Sequence, residues 1–200
     1  REEGRHGRLQ HRLIAGVSEG DRRRIYEAPD DDAERAALAV EADLPRQKLP
    51  DKALGFRVQR YGMTTWGDLF SRRQARALEV FADLVAEVRD RVAADGGSEV
   101  RADAVASFLG LCVGKMAQAN SCLTRWFLDG RNGSGGVLAA FGTQTVSMSW
   151  DYVETNPFGG SVGDWMQVVT TSLRSLDHVD PSGPPAVVRQ LDARNAAQAF

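Results

Sequence analysis

The longest run of regularly spaced apolar residues lies within residues 71–93. Its apolar face recurs every three or four positions and comprises Leu78, Phe81, Ala82, Val85, Val88 and Val92. This spacing predicts an amphipathic helix. Ser71 and Gln74 have the spacing of a capping box, which marks the helix start, and Gly96-Gly97 ends the pattern.

A second long helix is predicted over residues 98–127, with Ser98 as its cap. Its apolar stripe comprises Val105, Phe108, Leu109, Cys112, Met116, Ala119, Leu123 and Trp126. The short Gly-Gly connection predicts that the two helices pack antiparallel and form the core. We therefore expect Phe108 and Trp126 to be largely inaccessible.

Shorter elements are predicted on both sides of this pair. Residues 12–29 have two apolar runs around Gly20-Asp21, which indicates a hairpin, and the acidic run that follows predicts a helix near 32–43. Pro45 and Pro50 bracket a linker.

The C-terminal part begins with a Gly-rich loop, residues 129–136, followed by an extended or irregular stretch that Gly142 breaks. A third helix is predicted over 161–177 with Ser161 as its cap. Its expected buried face comprises Val162, Trp165, Met166, Val169, Leu173 and Leu176.

These elements predict a mostly helical α+β fold. It contains a long antiparallel helix pair, a small N-terminal hairpin and an irregular extended segment. Residues 1–52 hold the hairpin, short helix and linker, and residues 53–200 form a helical module. A chain of 200 residues, 42% of them hydrophobic, is long enough for one substantial core.

Charge and composition limit the classes of function. The formal net charge is −2 and the pI is about 6.0, so any contact with nucleic acid must come from local arginine clusters. No apolar run approaches the roughly 18 residues of a membrane span, and the charged N-terminus lacks the apolar core of a signal peptide. We therefore expect a cytoplasmic protein with no membrane partner.

The cysteines and histidines indicate no metal site. Cys112 and Cys122 fall in one predicted helix, about 15 Å apart along its axis, so we expect two reduced core thiols. His6, His11 and His178 are scattered, and no paired-ligand motif occurs. No nucleophile lies in a recognisable hydrolase motif.

The densest mixture of basic and aromatic residues is a candidate nucleic-acid-binding site. It comprises Arg57, Arg60, Tyr61, Arg72 and Arg73, which suit phosphate contacts and base stacking. The alternative is that the arginines are simply solvated and Tyr61 anchors a loop to the core.

Asn120 and Arg125 are further nucleic-acid candidates near the end of the second helix. A polar network that supports the core is an equally good interpretation of them.

Asn156-Pro157-Phe158 raises the question of a catalytic motif. It resembles the Asn/Asp-Pro-Pro-aromatic tetrapeptide of amino-group methyltransferases, which accepts hydrogen bonds from a base amino group and stacks on the base. The second proline is missing, so the aromatic ring arrives one position early.

Several stretches, taken in order, resemble the central region of the Zn-ribbon-containing adenine-specific DNA methylases, a family headed by an N-terminal domain of unknown function. The stretches are SEGDRRRIY, ALGFRVQRYGMTTWGDLFSRRQ, NSCLTRW, FGTQTVSMSWDYVETNPFGGSVGDW and QLDAR. The resemblance covers nearly all 200 residues and lies in their order and spacing.

This resemblance implies that the parent protein transfers a methyl group from S-adenosylmethionine to adenine in DNA. It places the family's Asp-Pro-Pro-Tyr motif beyond Phe200, and the Gly-rich cofactor loop and Zn-binding cysteines before Arg1. The chain, which begins without Met, is then a fragment of a larger α/β methyltransferase, between the cofactor and catalytic halves. Its partners would be DNA and the remaining segments of the parent.

The same resemblance implies that no catalytic, cofactor-binding or metal-binding residue lies in this chain. Asn156-Pro157-Phe158 matches a separate Asn-Pro-Phe of the family, which makes it structural. The alternative is a non-catalytic helical interaction or scaffold module, a degenerate remnant. The flanking sequences would discriminate, because only the enzyme requires a Gly-rich loop upstream and Asp-Pro-Pro-Tyr downstream.

Overall fold

The computed structural model describes residues 1–21, 23–53, 55–128, 135–143, 145–180 and 182–183. Five α-helices lie in these residues: α1 Glu2–Arg5, α2 Asp31–Leu38, α3 Arg72–Ala94, α4 Glu99–Ala119 and α5 Trp165–Leu176. The strands are β1 Gly16–Gly20, β2 Arg23–Glu27, β3 Arg125–Leu128 and β4 Gly135–Leu138, and short 3-10 helices span Val58–Tyr61 and Gly67–Leu69. The predicted α+β class with two long helices is confirmed.

The four strands form two separate antiparallel hairpins. In the first, Gly16 lies opposite Glu27, which confirms the predicted N-terminal hairpin; in the second, Arg125 lies opposite Leu138. The hairpins contact each other through Trp126, whose Nε1 donates to Tyr26 Oη at 3.2 Å. The guanidinium of Arg24 lies 4.9 Å from the centre of the Trp126 ring system, a cation–π contact.

Helices α3 and α4 pack antiparallel, as predicted. Near their connection, Arg89 donates from Nε to Asp103 at 2.7 Å and from Nη2 to Glu99 at 2.9 Å. At the other end, Cys122 Sγ lies 3.5 Å from Gln74 Oε1. Arg89 thus meets Asp103 near the connection, and Gln74 meets Cys122 at the far end. Such a pattern of contacts requires that the two helices be antiparallel.

The predicted caps of the two long helices are confirmed. Ser71 Oγ accepts from Gln74 N, and Gln74 Oε1 accepts from Ser71 N, which completes the capping box of α3. Ser98 Oγ accepts from Arg101 N at the start of α4. Gly96, with φ of 88°, takes the left-handed conformation that ends α3.

The core consists of two apolar clusters. One lies between α3, α4 and α5 and contains Phe81, Cys112, Met116 and Val168. The other contains Leu49, Val58, Leu69 and Val146 from the irregular segments. Phe108 and Trp126 are partly rather than fully buried, and Phe108 packs against the first cluster.

The predicted end of α4 is also wrong, because the helix stops at Ala119 rather than continuing to residue 127. Cys122 N and Ser121 Oγ both donate to Leu69 O at 2.8 Å, and these tertiary bonds replace continued helical bonding. The thiols of Cys112 and Cys122 are both free and buried, as predicted. They do not, however, lie in one helix.

Helix α5 begins later than predicted. Asp164, not Ser161, caps it, through a bond from Gln167 N to Asp164 Oδ1 at 2.9 Å. Gly163 has φ of 85°, and a Cβ there would lie 2.3 Å from Thr155 Oγ1. A left-handed residue interrupts a right-handed helix, so the helix starts only after this glycine.

The predicted buried face of α5 is partly wrong. Trp165 and Val169 do pack on the core, and Val168, which was not predicted, is buried. The exposed members of the predicted face are Val162, Met166, Leu173 and Leu176. Only one side of the helix meets α3 and α4.

The remaining predictions concern the chain ends and connections. Helix α2 is shorter than the predicted 32–43, and α1 was not predicted at all. The boundary after residue 52 stays a prediction, although Leu49 already packs with Val58 and Leu69. Most of the Gly-rich loop 129–136 and the whole QLDAR stretch lie outside the described residues. None of the helices in the described residues has both the length and the apolar composition of a membrane-spanning segment.

Met116→Ala tests the core assignment. Met116 is 1% exposed between α3 and α5, so its truncation should lower the free energy of unfolding by about 2–5 kcal/mol. The matched control is Leu111→Ala on the same helix, where the side chain is 76% exposed and the change should be within about 0.5 kcal/mol. Equal losses in urea denaturation of the two variants would contradict this core.

Candidate functional site

Residues from three separate parts of the chain line one cleft of about 300 Å³. Four of them were named from the sequence for their possible functional chemistry, namely Arg73, Asn120, Asn156 and Pro157. The others are Gln74, which was predicted only as part of the capping box, and Ala77, Glu154 and Thr155. Antiparallel packing places the first turn of α3 beside the last turn of α4, and the extended segment before α5 completes the wall. We call this the α3–α4 cleft.

A buried polar junction adjoins this cleft. It is defined by the side chains of Ser71, Gln74, Ser121 and Thr124, which are at most 6% exposed. Gln74 Nε2 donates to Val153 O at 3.3 Å, and Val153 N donates to Thr124 Oγ1 at 3.0 Å. Because unpaired buried polar groups cost about 1–3 kcal/mol each, these bonds hold the extended segment in one position.

Glu154 forms one wall of the cleft and is charge-paired there. Its carboxylate accepts hydrogen bonds from Ser71 Oγ at 2.6 Å and from the guanidinium of Arg73. The side chains of Arg73 and Glu154 are 33% and 22% exposed, so their ion pair is partly desolvated. It also offsets the unfavourable position of Arg73 at a helix N-terminus.

Asn120 lies at the C-terminal end of α4 and is only 4% exposed. Its Oδ1 accepts from Thr155 N at 3.2 Å, which joins the end of α4 to the extended segment. Asn120 therefore belongs to the polar network that was the alternative interpretation, and it also lines the cleft.

Asn156-Pro157-Phe158 uses its acceptors internally. Asn156 Oδ1 accepts from Phe158 N at 3.0 Å, and Pro157 O accepts from Trp165 N at 2.8 Å. In the methyltransferase tetrapeptide the corresponding oxygens would receive the base amino group. The structural role of this motif stays a prediction, and these bonds support it.

The other nucleic-acid candidates lie outside the cleft. Arg57, Arg60, Arg72 and Arg125 are exposed, and none forms an ion pair with another described residue. Tyr61 is partly buried, with its ring 5.4 Å from Trp150 and the guanidinium of Arg1 5.8 Å from its centre. These contacts favour Tyr61 as an anchor rather than a stacking platform.

The sequence interpretation missed Glu154, Thr155, Ser121 and Thr124. The available signal was the polar cluster NSCLT, which interrupts the apolar stripe of the predicted second helix without a glycine or proline. Glu154 and Thr155 carried no signal, because they lie in a segment without periodicity.

Two titratable groups, the buried Cys122 thiol and the partly buried Tyr152 phenol, adjoin the junction. Burial raises the pKa of the Cys122 thiol to about 12 and also raises the pKa of the Tyr152 phenol. Tyr152 Oη lies 2.8 Å from His11 Nδ1, so this phenol ties the N-terminal segment to the cleft wall. A thiol with such a pKa is a poor nucleophile at neutral pH.

No family model, curated protein or solved structure matches this chain. Within the described residues, no group of three or more His, Cys, Asp or Glu side chains is placed to hold a metal ion. What the chain does must therefore be inferred from the cleft and the exposed arginines.

Cys122 should make stability depend on pH in the alkaline range. Its pKa rises from 9.0 to about 12 on folding, so the unfolded chain loses the proton first. The free energy of unfolding should fall between pH 9 and 12, by up to about 1.4 kcal/mol per pH unit, and be unaffected by this group below pH 9.

Cys122→Ser removes the titrating thiol and should flatten that slope. The measurement is urea denaturation of both proteins across the alkaline range. If the free energy of unfolding falls with pH equally in both proteins, the pKa of Cys122 is not raised by folding.

Proposed function

We propose that this chain is the substrate-side module of an S-adenosylmethionine-dependent, adenine-specific DNA methylase. In this proposal it lies between the cofactor and catalytic halves of the parent enzyme and is inactive alone. Its role is to contact DNA and to hold the substrate side of the site in shape.

One observation carries the proposal. Three of the stretches that resemble this family, residues 53–74, 120–126 and 141–165, meet in the polar junction and the α3–α4 cleft. Ser71, Gln74, Thr124 and Glu154 are bonded across these stretches. Because the bonds make the stretches physically interdependent, the resemblance falls on one three-dimensional unit rather than on scattered matches.

The distribution of charge supports contact with DNA. Helix α3 carries Arg72, Arg73 and Arg76 near its start, with no acidic residue in its first turn. Positive charge at a helix N-terminus is unfavourable unless an anion lies nearby. Glu154 pairs with Arg73 and Glu79 lies 3.4 Å from Arg76, but no described carboxylate pairs with Arg72. The backbone phosphates of DNA would supply the missing negative charge.

Arg57 and Arg60 add to this positive charge. They lie on either side of Val58 in the sequence, and Val58 packs in the same cluster as Leu69, three residues before the start of α3. The arginines therefore project from elements that pack against each other.

The proposal assigns cofactor binding to another part of the parent. S-adenosylmethionine is commonly bound by a Gly-rich turn between a strand and a helix. In the described residues, β2 leads to α2 through Ala28, Pro29 and Asp30, and β4 is followed by an irregular segment.

A non-catalytic interaction module is the second candidate, favoured by one specific observation. Phe158 is 78% exposed, Met166 63% and Leu176 52%, which leaves an apolar strip on α5 and the loop before it. A scaffold module would use such a strip to bind a protein and would show no salt-dependent affinity for DNA.

Replacing Arg57, Arg60 and Arg72 together by Ala should weaken DNA binding. Each lost phosphate contact should lower the slope of log affinity against log salt by about 0.9 for duplex DNA. The matched control replaces Arg91, Arg101 and Arg174, which are also exposed and remove the same charge. DNA affinity is measured by fluorescence anisotropy. If both variants lose the same affinity, the effect depends only on net charge and not on these three arginines.

Titration calorimetry with S-adenosylmethionine tests the placement of the module. We expect no stoichiometric binding to this chain, because its cofactor loop belongs elsewhere in the parent. A micromolar site would contradict the proposed position between the two halves of the enzyme.

A further inference from the structure

The side-chain amide of Asn120 has a donor without a partner. Because Thr155 N is a donor, the atom that accepts its hydrogen bond must be Oδ1, and the orientation of the amide is fixed. The opposite atom, Nδ2, donates to no group in the described part of the chain. Glu79 Oε1 is the sole fully enclosed, unpartnered side-chain atom of that part, so Nδ2 keeps contact with solvent, and Asn120 lines the cleft.

Asn120 is only 4% exposed, yet its amide donor is left to solvent rather than to an acceptor in the described part of the chain. Asn120 could keep its bond to Thr155 with an aspartate in its place, so the NH₂ group is not required for that contact. A ligand acceptor in the cleft would satisfy it.

Glu154, on the neighbouring wall of the cleft, provides a hydrogen-bond acceptor instead of a donor. Glu154 is adjacent in sequence to Thr155 and accepts from Ser71 and Arg73. A carboxylate has about four acceptor positions, so Glu154 can accept again. The cleft is therefore lined by a donor, Asn120 Nδ2, an acceptor, Glu154, and the apolar side chains of Ala77 and Pro157.

These features favour a neutral, flat ligand over a phosphate. Glu154 repels an anion and already neutralises Arg73. An adenine ring carries an amino donor directly beside a ring-nitrogen acceptor, and both its faces are apolar. A cytosine has a similar donor and acceptor pair.

We propose that the α3–α4 cleft binds the edge of an unpaired, amino-bearing nucleobase. Asn120 Nδ2 donates to the ring nitrogen, Glu154 accepts from the exocyclic amino group, and Ala77 and Pro157 contact the ring. The proposal rests on the proposed function in taking this base from DNA. It adds a base-binding site distinct from the tetrapeptide that the parent would carry elsewhere.

The test compares two short single-stranded DNAs that differ only at one central position, which holds adenine or an abasic site. Affinity for the abasic strand reports backbone contacts and thus the proposed function. The gain in affinity for the adenine strand over the abasic strand reports binding of the base in the cleft. We expect this gain to be about tenfold at a salt concentration that weakens phosphate contacts. Equal affinity for both strands would overturn the base site and leave the DNA-binding proposal standing.

Two variants assign any gain to the cleft. Asn120→Asp keeps the acceptor for Thr155 N but replaces the donor, and Ala77→Leu fills the cleft without changing a hydrogen bond. Both should remove the adenine gain, whereas the controls Gln118→Glu and Ala86→Leu, at exposed positions of the same helices, should retain it. A gain that survives in both cleft variants would contradict the proposal.

If neither strand binds, the proposed function fails and the base site is tested by nuclear magnetic resonance with free adenosine. The signal of the Asn120 side-chain amide, identified by its loss in Asn120→Asp, should shift as adenosine is added. An unchanged signal at millimolar adenosine would overturn the site.

Discussion

The side-chain amide of Gln74 connects three distant parts of the chain, and the arrangement of the molecule depends on it. Its oxygen accepts from Ser71 N and so completes the capping box of α3. Its nitrogen donates to Val153 O in the extended segment, while Cys122 Sγ, beyond the end of α4, lies 3.5 Å from the oxygen. A residue that is 1% exposed thus serves both as a local helix cap and as a tertiary connector.

This double role explains why a cleft exists at this place. Helix caps leave polar groups at helix ends, and the end of α4 meets the start of α3 because the pair is antiparallel. The extended segment covers part of this polar surface through Val153, which donates to Thr124, and Glu154, which accepts from Ser71. The cleft remains where that cover ends, at Thr155 and Pro157, and it is polar because the helix ends that line it are polar.

Two kinds of surface surround this junction and have different chemistry. The exposed arginines near the start of α3 suit a phosphate backbone, whereas the apolar strip of α5 suits a protein segment. A module between two halves of a larger enzyme would need both, one for its substrate and one for its neighbours. The cleft differs from both surfaces, because it has a donor and an acceptor, and in our proposal this pair binds a base.

The sequence alone determined the elements whose signals are local. The capping box at Ser71, the Ser98 cap and the apolar periodicity gave α3 and the start of α4, since these depend on residues within one or two turns. It also brought Arg73, Asn120, Asn156 and Pro157 to attention through residue chemistry. The tertiary structure decided where α4 ends, because Leu69 O takes the hydrogen bonds of Ser121 and Cys122. It likewise moved the start of α5 past Gly163 and placed Glu154 in the cleft, since both follow from contacts between residues far apart in the chain, which no local pattern encodes.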